Sequence, residues 1–165
     1  MALLIRFQVS TAAQLHDFRV ARHPSESGEW LVARVLARVL QHEEGLTFSP
    51  GVCRGEQPAL FTPGDGGRLK SWIDIGCPSV KKLRAGLTSA ERLVVYTYGR
   101  SDQLLHHLAQ CHQPQRIAVW RLDRRLLQGL ASLIIAPTTY WPLCQEGDEL
   151  EVAGLRGTCT LLPFP

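Results

Sequence analysis

The hydrophobic pattern of the chain changes several times between the period of a strand and the period of a helix. Apolar residues occupy every second position of residues 3–9, which is typical of one face of a β-strand. Residues 15–20 follow closely enough to pair with this strand. The pattern therefore predicts a β-hairpin over residues 1–20.

A long amphipathic helix is predicted over residues 26–41. Pro24 disfavours a helical conformation in the residue before it, and Ser25 is a suitable helix cap. Glu26 and Glu29 would then lie one turn apart, near the end of the helix where its dipole favours negative charge. The apolar stripe of this helix consists of Trp30, Ala33, Ala37 and Leu40, widened by Val32, Leu36 and Val39.

Strands and helices alternate through the middle of the chain. Residues 92–98 are nearly all apolar or β-branched, which predicts a strand buried on both faces. Beyond residue 138, short apolar runs broken by glycines predict a small antiparallel meander. The other strands are predicted at 46–49, 58–62, 69–75 and 116–122, and the other helices at 79–90, 101–112 and 126–135.

This alternation predicts the α/β (α+β) class, with a mixed central sheet flanked by helices and extra antiparallel strands from both termini. We expect one domain over residues 1–165. It would consist of the hairpin at 1–20, a core at 21–122, and a C-terminal helix with strands at 123–165.

Composition narrows the class of protein only slightly. The chain has 165 residues, 45% of them hydrophobic, and a net charge of +3, which permits contact with nucleic acid without arguing for it. No apolar run reaches membrane-spanning length, and the N-terminal apolar run is too short for a signal peptide. The five cysteines are scattered, with no CxxC pair. We therefore expect a cytoplasmic protein with reduced thiols and no membrane partner.

Asp74 is the first candidate for chemistry. It lies between Ile73 and Ile75 in an otherwise apolar strand, and strand alternation directs its side chain away from both. A buried carboxylate is costly, so Asp74 needs either a basic partner or a cation. A salt bridge to a lysine of the next helix is the structural alternative to a functional site.

Three cations follow on that helix, at Lys81, Lys82 and Arg84. Lys81 and Arg84 are three residues apart and share a helix face, whereas Lys82 does not. The simplest interpretation is a solvated helix face. If the face points towards the sheet, one of the three can reach Asp74, and the sequence leaves open which one.

Two other patterns have weaker support. His107 and Cys111 have the i,i+4 spacing of metal ligands, but no second ligand pair follows, and a helix C-terminus favours histidine for dipole reasons. His23 and Ser25 are close in sequence, but no nucleophile-elbow motif accompanies them. Neither pattern predicts a site.

The order of these motifs resembles the bacterial YaeQ family. Residues 21–29, Ala-Arg-His-Pro-Ser-Glu-Ser-Gly-Glu, lead into the long helix as they do in that family. The resemblance covers most of the chain and weakens after about Leu122. The later matching stretches are 46–49, 51–53, 72–78, the basic helix with Lys82, Leu83 and Ala85, 94–98 and 119–120.

The YaeQ family is described as a variant of the PD-(D/E)XK nuclease-like fold, also called restriction-endonuclease-like. The resemblance therefore implies an acid from a helix, an aspartate from a hairpin, a second acid from a strand, and a nearby lysine. On this basis Glu26 is the helix acid, Asp74 the strand acid and Lys82 the candidate catalytic cation. Glu26 and Asp74 would be the ligands of Mg²⁺ or Mn²⁺.

Two positions depart from the nuclease pattern. Pro58 is followed by Ala59 where relatives carry an acid, and Gly76 stands where a nuclease has a lysine two residues after the strand acid. Alanine supplies neither a ligand nor a charge. Glu56 and Asp65 are the nearest acids that could replace it.

These departures lead to three hypotheses about function. The first is a nuclease-like fold with a degenerate metal site that binds nucleic acid or a protein partner. The second is an active Mg²⁺- or Mn²⁺-dependent nuclease with a migrated lysine. The third is a structural or regulatory protein in which Glu26, Asp74 and the helix cations form a buried ion-pair network.

Overall fold

The structure is a computed structural model that describes residues 2–50 and 57–163. Within these residues, ten strands form one sheet and four α-helices pack against it. The helices are α1 (Gly28–Leu40), α2 (Val80–Ser89), α3 (Asp102–Ala109) and α4 (Arg124–Ala131). The strands are β1 (Leu3–Ser10), β2 (Leu15–Arg22), β3 (Thr47–Phe48), β4 (Leu60–Pro63), β5 (Leu69–Ile75), β6 (Ala90–Tyr98), β7 (Ile117–Leu122), β8 (Thr138–Glu146), β9 (Glu149–Val152) and β10 (Leu155–Leu161).

Both ends of the chain join the same sheet. The strand order is β2-β1-β8-β9-β10-β7-β6-β5-β4-β3. β5, β6 and β7 are parallel neighbours, whereas β3, β4 and β5 form an antiparallel series. β8 pairs in parallel with β1, and β10 pairs antiparallel with β7. The predicted mixed α+β class is thereby confirmed.

The helices divide between the two faces of the sheet. Ile73 and Ile75 of β5 belong to the buried cluster that contains the apolar residues of α1 and α4. Trp72 belongs to a second cluster, with Leu83 of α2 and Leu104 of α3. Successive side chains of β5 therefore enter different layers, and those at even-numbered positions face α2.

The start of α1 differs from the prediction. Ser27 is the helix cap, because its hydroxyl accepts a hydrogen bond from the Trp30 N–H at 3.1 Å. Ser25, which the sequence predicted as the cap, instead makes a 2.6 Å hydrogen bond with His23 Nδ1. A turn closed by the Glu26 N–H and the His23 carbonyl oxygen delays the helix. Glu26 therefore precedes the helix and lies outside its first turn.

The later helices also end or begin a few residues away from their predicted limits. α4 begins at Arg124, two residues early, because Asp123 Oδ1 accepts a hydrogen bond from the Arg125 N–H. α3 ends at Ala109 and not at residue 112. In the part of the chain that the structure describes, no helix is long and apolar enough to cross a membrane.

Candidate functional site

Asp74 is fully buried on the α2 face of the sheet, where one carboxylate oxygen accepts a hydrogen bond and the other faces an ammonium group. The Trp72 Nε1–H donates a hydrogen bond to Oδ2 at 2.8 Å. The Lys82 ammonium lies 3.1 Å from Oδ1, and the Lys82 side chain is 17% exposed while that of Asp74 is 0% exposed. Asp74 is therefore one half of a buried ion pair.

Lys82 reaches Asp74 because of the way α2 begins. Ser79 caps α2 and accepts a hydrogen bond from the Lys82 N–H at 3.2 Å, so Lys82 lies in the first turn, close to the carboxyl end of β5. Arg84 points elsewhere and donates a hydrogen bond to the Gln110 carbonyl oxygen at 2.9 Å. Lys81 is exposed. Of the three candidate cations, Lys82 is thus the one that the fold places beside Asp74.

The burial of Asp74 changes its acidity. Loss of hydration raises the pKa of Asp74, because burial penalises the charged form. The charge on Lys82, the hydrogen bond from Trp72 and a hydrogen bond from the backbone of Ala59 act in the opposite direction, and the raised pKa shows that burial outweighs them.

Glu26 has a different cation. Its Oε2 atom accepts a hydrogen bond from Arg34 Nη2 at 2.7 Å, and the two side chains are 4% and 2% exposed. The Arg34 guanidinium lies 4.5 Å from the centre of the Trp30 ring and 5.8 Å from that of Phe48. Arg34 Nη2 also donates to the Ala21 carbonyl oxygen. This ion pair ties the chain before α1 to the helix.

The two ion pairs occupy different layers of the molecule. Trp30 and Phe48, which contact Arg34, pack against the cluster that contains Ile73. Asp74 lies on the other face of β5, with Trp72. The structure therefore brings together Asp74 and Lys82, and it places Glu26 with Arg34 instead.

In this arrangement the predicted residues do not fit Mg²⁺ or Mn²⁺. These ions need several oxygen ligands in close to octahedral geometry, and bound waters complete the shell only where the site is open. The oxygens of Asp74 already face an indole N–H and an ammonium, and Ala59 offers no side-chain oxygen. Over residues 2–50 and 57–163, no three His, Cys, Asp or Glu side chains come close enough together to hold a metal.

Ala59 and Gly76 have structural surroundings that account for both departures from the nuclease motif. Ala59 is buried in the apolar cluster with Leu60 and Ile73. Gly76 has a φ of +83° while its N–H donates to the Tyr96 carbonyl oxygen at 2.8 Å. A lysine would be strained in that backbone conformation, whereas glycine adopts it readily.

The two acids considered as replacements do not supply the missing ligand among the described residues. Asp65 is exposed in the turn before Leu69, and Asp74 lies five residues further along β5. At the rise of a strand, that separation is about 16 Å. Glu56 lies outside the described residues.

His107 and Cys111 do not converge on a common point either. The Cys111 thiol donates to the His107 carbonyl oxygen at 3.5 Å. His107 Nδ1 lies 3.0 Å from the Pro78 carbonyl oxygen, to which it can only donate. The four described cysteines, Cys77, Cys111, Cys144 and Cys159, are free thiols, and Cys53 lies outside the described residues.

Sequence reasoning missed a partly buried acid, Glu43, whose side chain is 17% exposed. Its Oε1 atom accepts hydrogen bonds from the Thr62 hydroxyl at 2.7 Å and the Ser71 hydroxyl at 2.5 Å. Burial alone would raise the pKa of Glu43, but these bonds, the charge on Arg92 and a hydrogen bond from Lys70 lower it to about 2. The sequence signal that could have indicated this contact is the presence of two hydroxyl residues, Thr62 and Ser71, in strands that are otherwise largely apolar.

Taken together, the fold and the site define a mixed α+β protein. Its described residues form a ten-stranded sheet with separate buried acid–cation pairs on its two faces. The sequence model of the family described as YaeQ protein matches residues 10–160. The chain belongs to the YaeQ family.

Individual relatives agree with this assignment. The chain is 28% identical over 131 residues to a protein from Escherichia coli (strain K12) called "Uncharacterized protein YaeQ", covering 78% of this chain and 72% of the relative. The structure of the present chain is similar to the crystal structure of the YaeQ protein from Xanthomonas axonopodis pv. citri, with a TM-score of 0.87, 23% identity and full coverage of both chains. The YaeQ protein from Pseudomonas syringae gives a TM-score of 0.83 at 19% identity, over 99% of this chain and 97% of that one.

Proposed function

We propose that this chain is a nuclease-like protein of the PD-(D/E)XK type that binds nucleic acid without cleaving it. The observation that carries the proposal is the engagement of Asp74 by Lys82 and Trp72. A carboxylate that is neutralised and removed from solvent is unsuited to hold a hydrated Mg²⁺ against a scissile phosphate.

The order of elements supports the nuclease-like part of the proposal. α1, the antiparallel strands β3, β4 and β5, α2 and the parallel strand β6 follow one another as the fold implied by the resemblance requires. Asp74 falls on β5 and Ala59 falls immediately before β4, where a nuclease carries its acids. The apolar surroundings of Ala59 favour loss of the metal site.

The distribution of cations supports the binding part. Arg100 is 92% exposed, and the exposed residues Arg121, Arg124 and Arg125 lie on the same side of the molecule, where β6 and β7 end. Exposed arginines attract a phosphate backbone and gain from release of its counterions. We favour nucleic acid over a protein partner because these arginines are grouped at the carboxyl ends of two neighbouring strands, although Arg100 pairs with Asp102 and Arg124 with Glu29.

An active nuclease is the second candidate, and one observation favours it. The Lys82 ammonium lies beside the strand acid, where a migrated catalytic lysine would be needed. The two candidates differ in whether Asp74 can leave Lys82 to bind a metal, so a cleavage assay separates them.

The experiment incubates the full chain with labelled single- and double-stranded DNA and RNA, in Mg²⁺, in Mn²⁺ and in EDTA. We expect a mobility shift that weakens with salt and persists in EDTA, with no shortening of the substrate. Cleavage that needs the metal and disappears in Asp74→Asn would establish the nuclease. Absence of any binding would overturn the proposal in favour of a protein partner or a structural role.

A further inference from the structure

The connections that follow β6 and β7 run to opposite faces of the sheet. β6 continues into α3, which packs on the same face as α2. β7 continues into α4, which packs on the opposite face with α1. Where two neighbouring parallel strands send their connections to opposite faces, a crevice opens outside their carboxyl ends, and ligands of open α/β sheets bind at such points.

A cavity of about 230 Å³ lies at this point. It is separate from Asp74 and Lys82, neither of which lines it. Two of its lining residues are arginines and one is an acid. The lining residues are Gly99, Arg121, Leu122, Asp123, Arg124 and Thr158.

Arg124 is held in place at the wall of this cavity. Its Nε–H donates to Glu29 Oε2 at 2.9 Å, and Gln128 Nε2 donates to Glu29 Oε1 at 3.3 Å. Since Nε is occupied, the terminal nitrogens of Arg124 remain for other contacts. A Cβ at Gly99 would lie 3.3 Å from Arg124 Nη1, and Gly99 has a φ of +74°. Glycine therefore lets the guanidinium lie against the backbone of the turn.

Arg121 approaches the same turn from β7. Its Nη1 donates a long hydrogen bond of 3.4 Å to the hydroxyl of Ser101, a buried residue just before α3. Among the described residues, Asp123 is the one acid in the lining, and its Oδ1 already accepts the Arg125 N–H as the cap of α4. The lining thus has a net charge of +1.

We propose that this cavity, called here the switch-point pocket, binds a phosphate group through Arg121 and Arg124. Guanidinium groups match tetrahedral oxyanions because their planar N–H donors form paired, charge-assisted hydrogen bonds. The proposal deepens the function proposed above, on which it rests for the nucleic-acid source of the phosphate. The same chemistry would serve a phosphate of the nucleic-acid backbone or a free phosphate monoester.

The test titrates the full chain with inorganic phosphate and, separately, with a short single-stranded DNA lacking terminal phosphates. Binding is followed by the NMR amide signal of Gly99 and by calorimetry. Arg121→Ala is expected to weaken phosphate binding about tenfold, the loss of one charge-assisted contact. Arg19→Ala is the matched control, because Arg19 is an exposed arginine of β2 that does not line the pocket.

Each outcome decides one proposal. A Gly99 shift with phosphate that Arg121→Ala suppresses and Arg19→Ala preserves supports the pocket. Equal effects of the two substitutions, or no Gly99 shift with phosphate or with DNA, overturn it. DNA binding and phosphate binding that are both left unchanged by Arg121→Ala overturn the pocket but leave the proposed function intact. Phosphate binding at the pocket without DNA binding supports a free phosphate as ligand and overturns the proposed function.

Arg124→Gln provides a second variant with its own readout. It removes a guanidinium from the pocket and also a contact to Glu29, so its thermal stability is measured alongside its phosphate affinity. Weakened phosphate binding by a variant that is folded at the assay temperature supports the pocket, and unchanged binding contradicts it.

Discussion

The Lys82 ammonium lies 3.1 Å from Asp74 Oδ1 and joins the first turn of α2 to β5. Asp74 has no exposed surface, and Lys82 retains little. A buried charge is tolerated when a counter-ion compensates its lost hydration, so neither residue would be stable there alone. A migrated catalytic lysine would need to lie this close to the strand acid. In this structure the same closeness lets Lys82 neutralise the charge of Asp74.

Breaking this pair from the lysine side is expected to destabilise the fold strongly. Lys82→Met leaves a wholly buried carboxylate, which costs about 3–5 kcal/mol in the free energy of unfolding. Asp74→Asn combined with Lys82→Met is expected to cost less than the two separate changes added together. Urea unfolding of the three variants measures the coupling. Lys81→Met is the control on the same helix, and an equal loss in that variant would contradict the pair.

The pH dependence of the Lys82→Met variant provides a separate check. The pKa of Asp74 is raised by burial, so the folded chain binds this proton more tightly than the unfolded chain does. The resulting contribution to stability is present at low pH and is lost as the pH rises from the ordinary aspartate pKa of about 4 towards the folded value. Removing Lys82 should enlarge that loss, because the charge on Lys82 lowers the pKa of Asp74. A variant whose unfolding free energy follows the wild-type pH curve would contradict this role of Lys82.

The separation of the two acids predicts additive effects. Glu26 is paired with Arg34 on the α1 face and Asp74 with Lys82 on the α2 face. We expect the losses of unfolding free energy in Glu26→Gln and Asp74→Asn to sum in the double variant to within about 0.5 kcal/mol. We also expect Mn²⁺ to leave the melting temperature of the wild type unchanged. Strong non-additivity together with a Mn²⁺-induced rise would instead indicate a shared metal site.

Glu43 is predicted to control stability in acid. Its pKa in the folded chain is about 2, below the ordinary value of 4.5. Its contribution to the free energy of unfolding, about 3 kcal/mol, is therefore present above pH 4.5 and is lost as the pH falls towards 2. Glu43→Gln should remove most of this pH dependence in urea unfolding between pH 2 and 6. The exposed neighbour Glu44 provides the control, Glu44→Gln, which should retain it.

The contact between α1 and α4 depends on the absence of a side chain at Gly28. A Cβ at Gly28 would lie 2.8 Å from the Ala131 Cβ, closer than two carbons can approach. Gly28→Ala should therefore lower the melting temperature, since overpacking costs about 1–3 kcal/mol and outweighs the higher helix propensity of alanine. Ala131→Gly in the same chain should restore part of the loss. If Gly28→Ala alone stabilises the protein, the close packing is not as described.

Much of the fold could be predicted because its signals are local. Alternation placed a strand at residues 69–75 with Asp74 directed away from its isoleucine neighbours, as β5 shows. The antiparallel meander after residue 138 was also confirmed, as β8, β9 and β10. The first turn of α1 was misplaced because Ser25 and Ser27 are both good caps, and only the turn at His23 decides between them.

The sequence by itself determined that Asp74 would be buried and would need a cation, because strand periodicity and the cost of an uncompensated carboxylate act within one segment. Only the tertiary structure decided that Lys82 supplies the charge, because that depends on how α2 docks against the sheet. The same holds for the pairing of Glu26 with Arg34. The switch-point pocket likewise exists only because α3 and α4 pack on opposite faces of the sheet. They do so because their apolar sides are buried in different clusters.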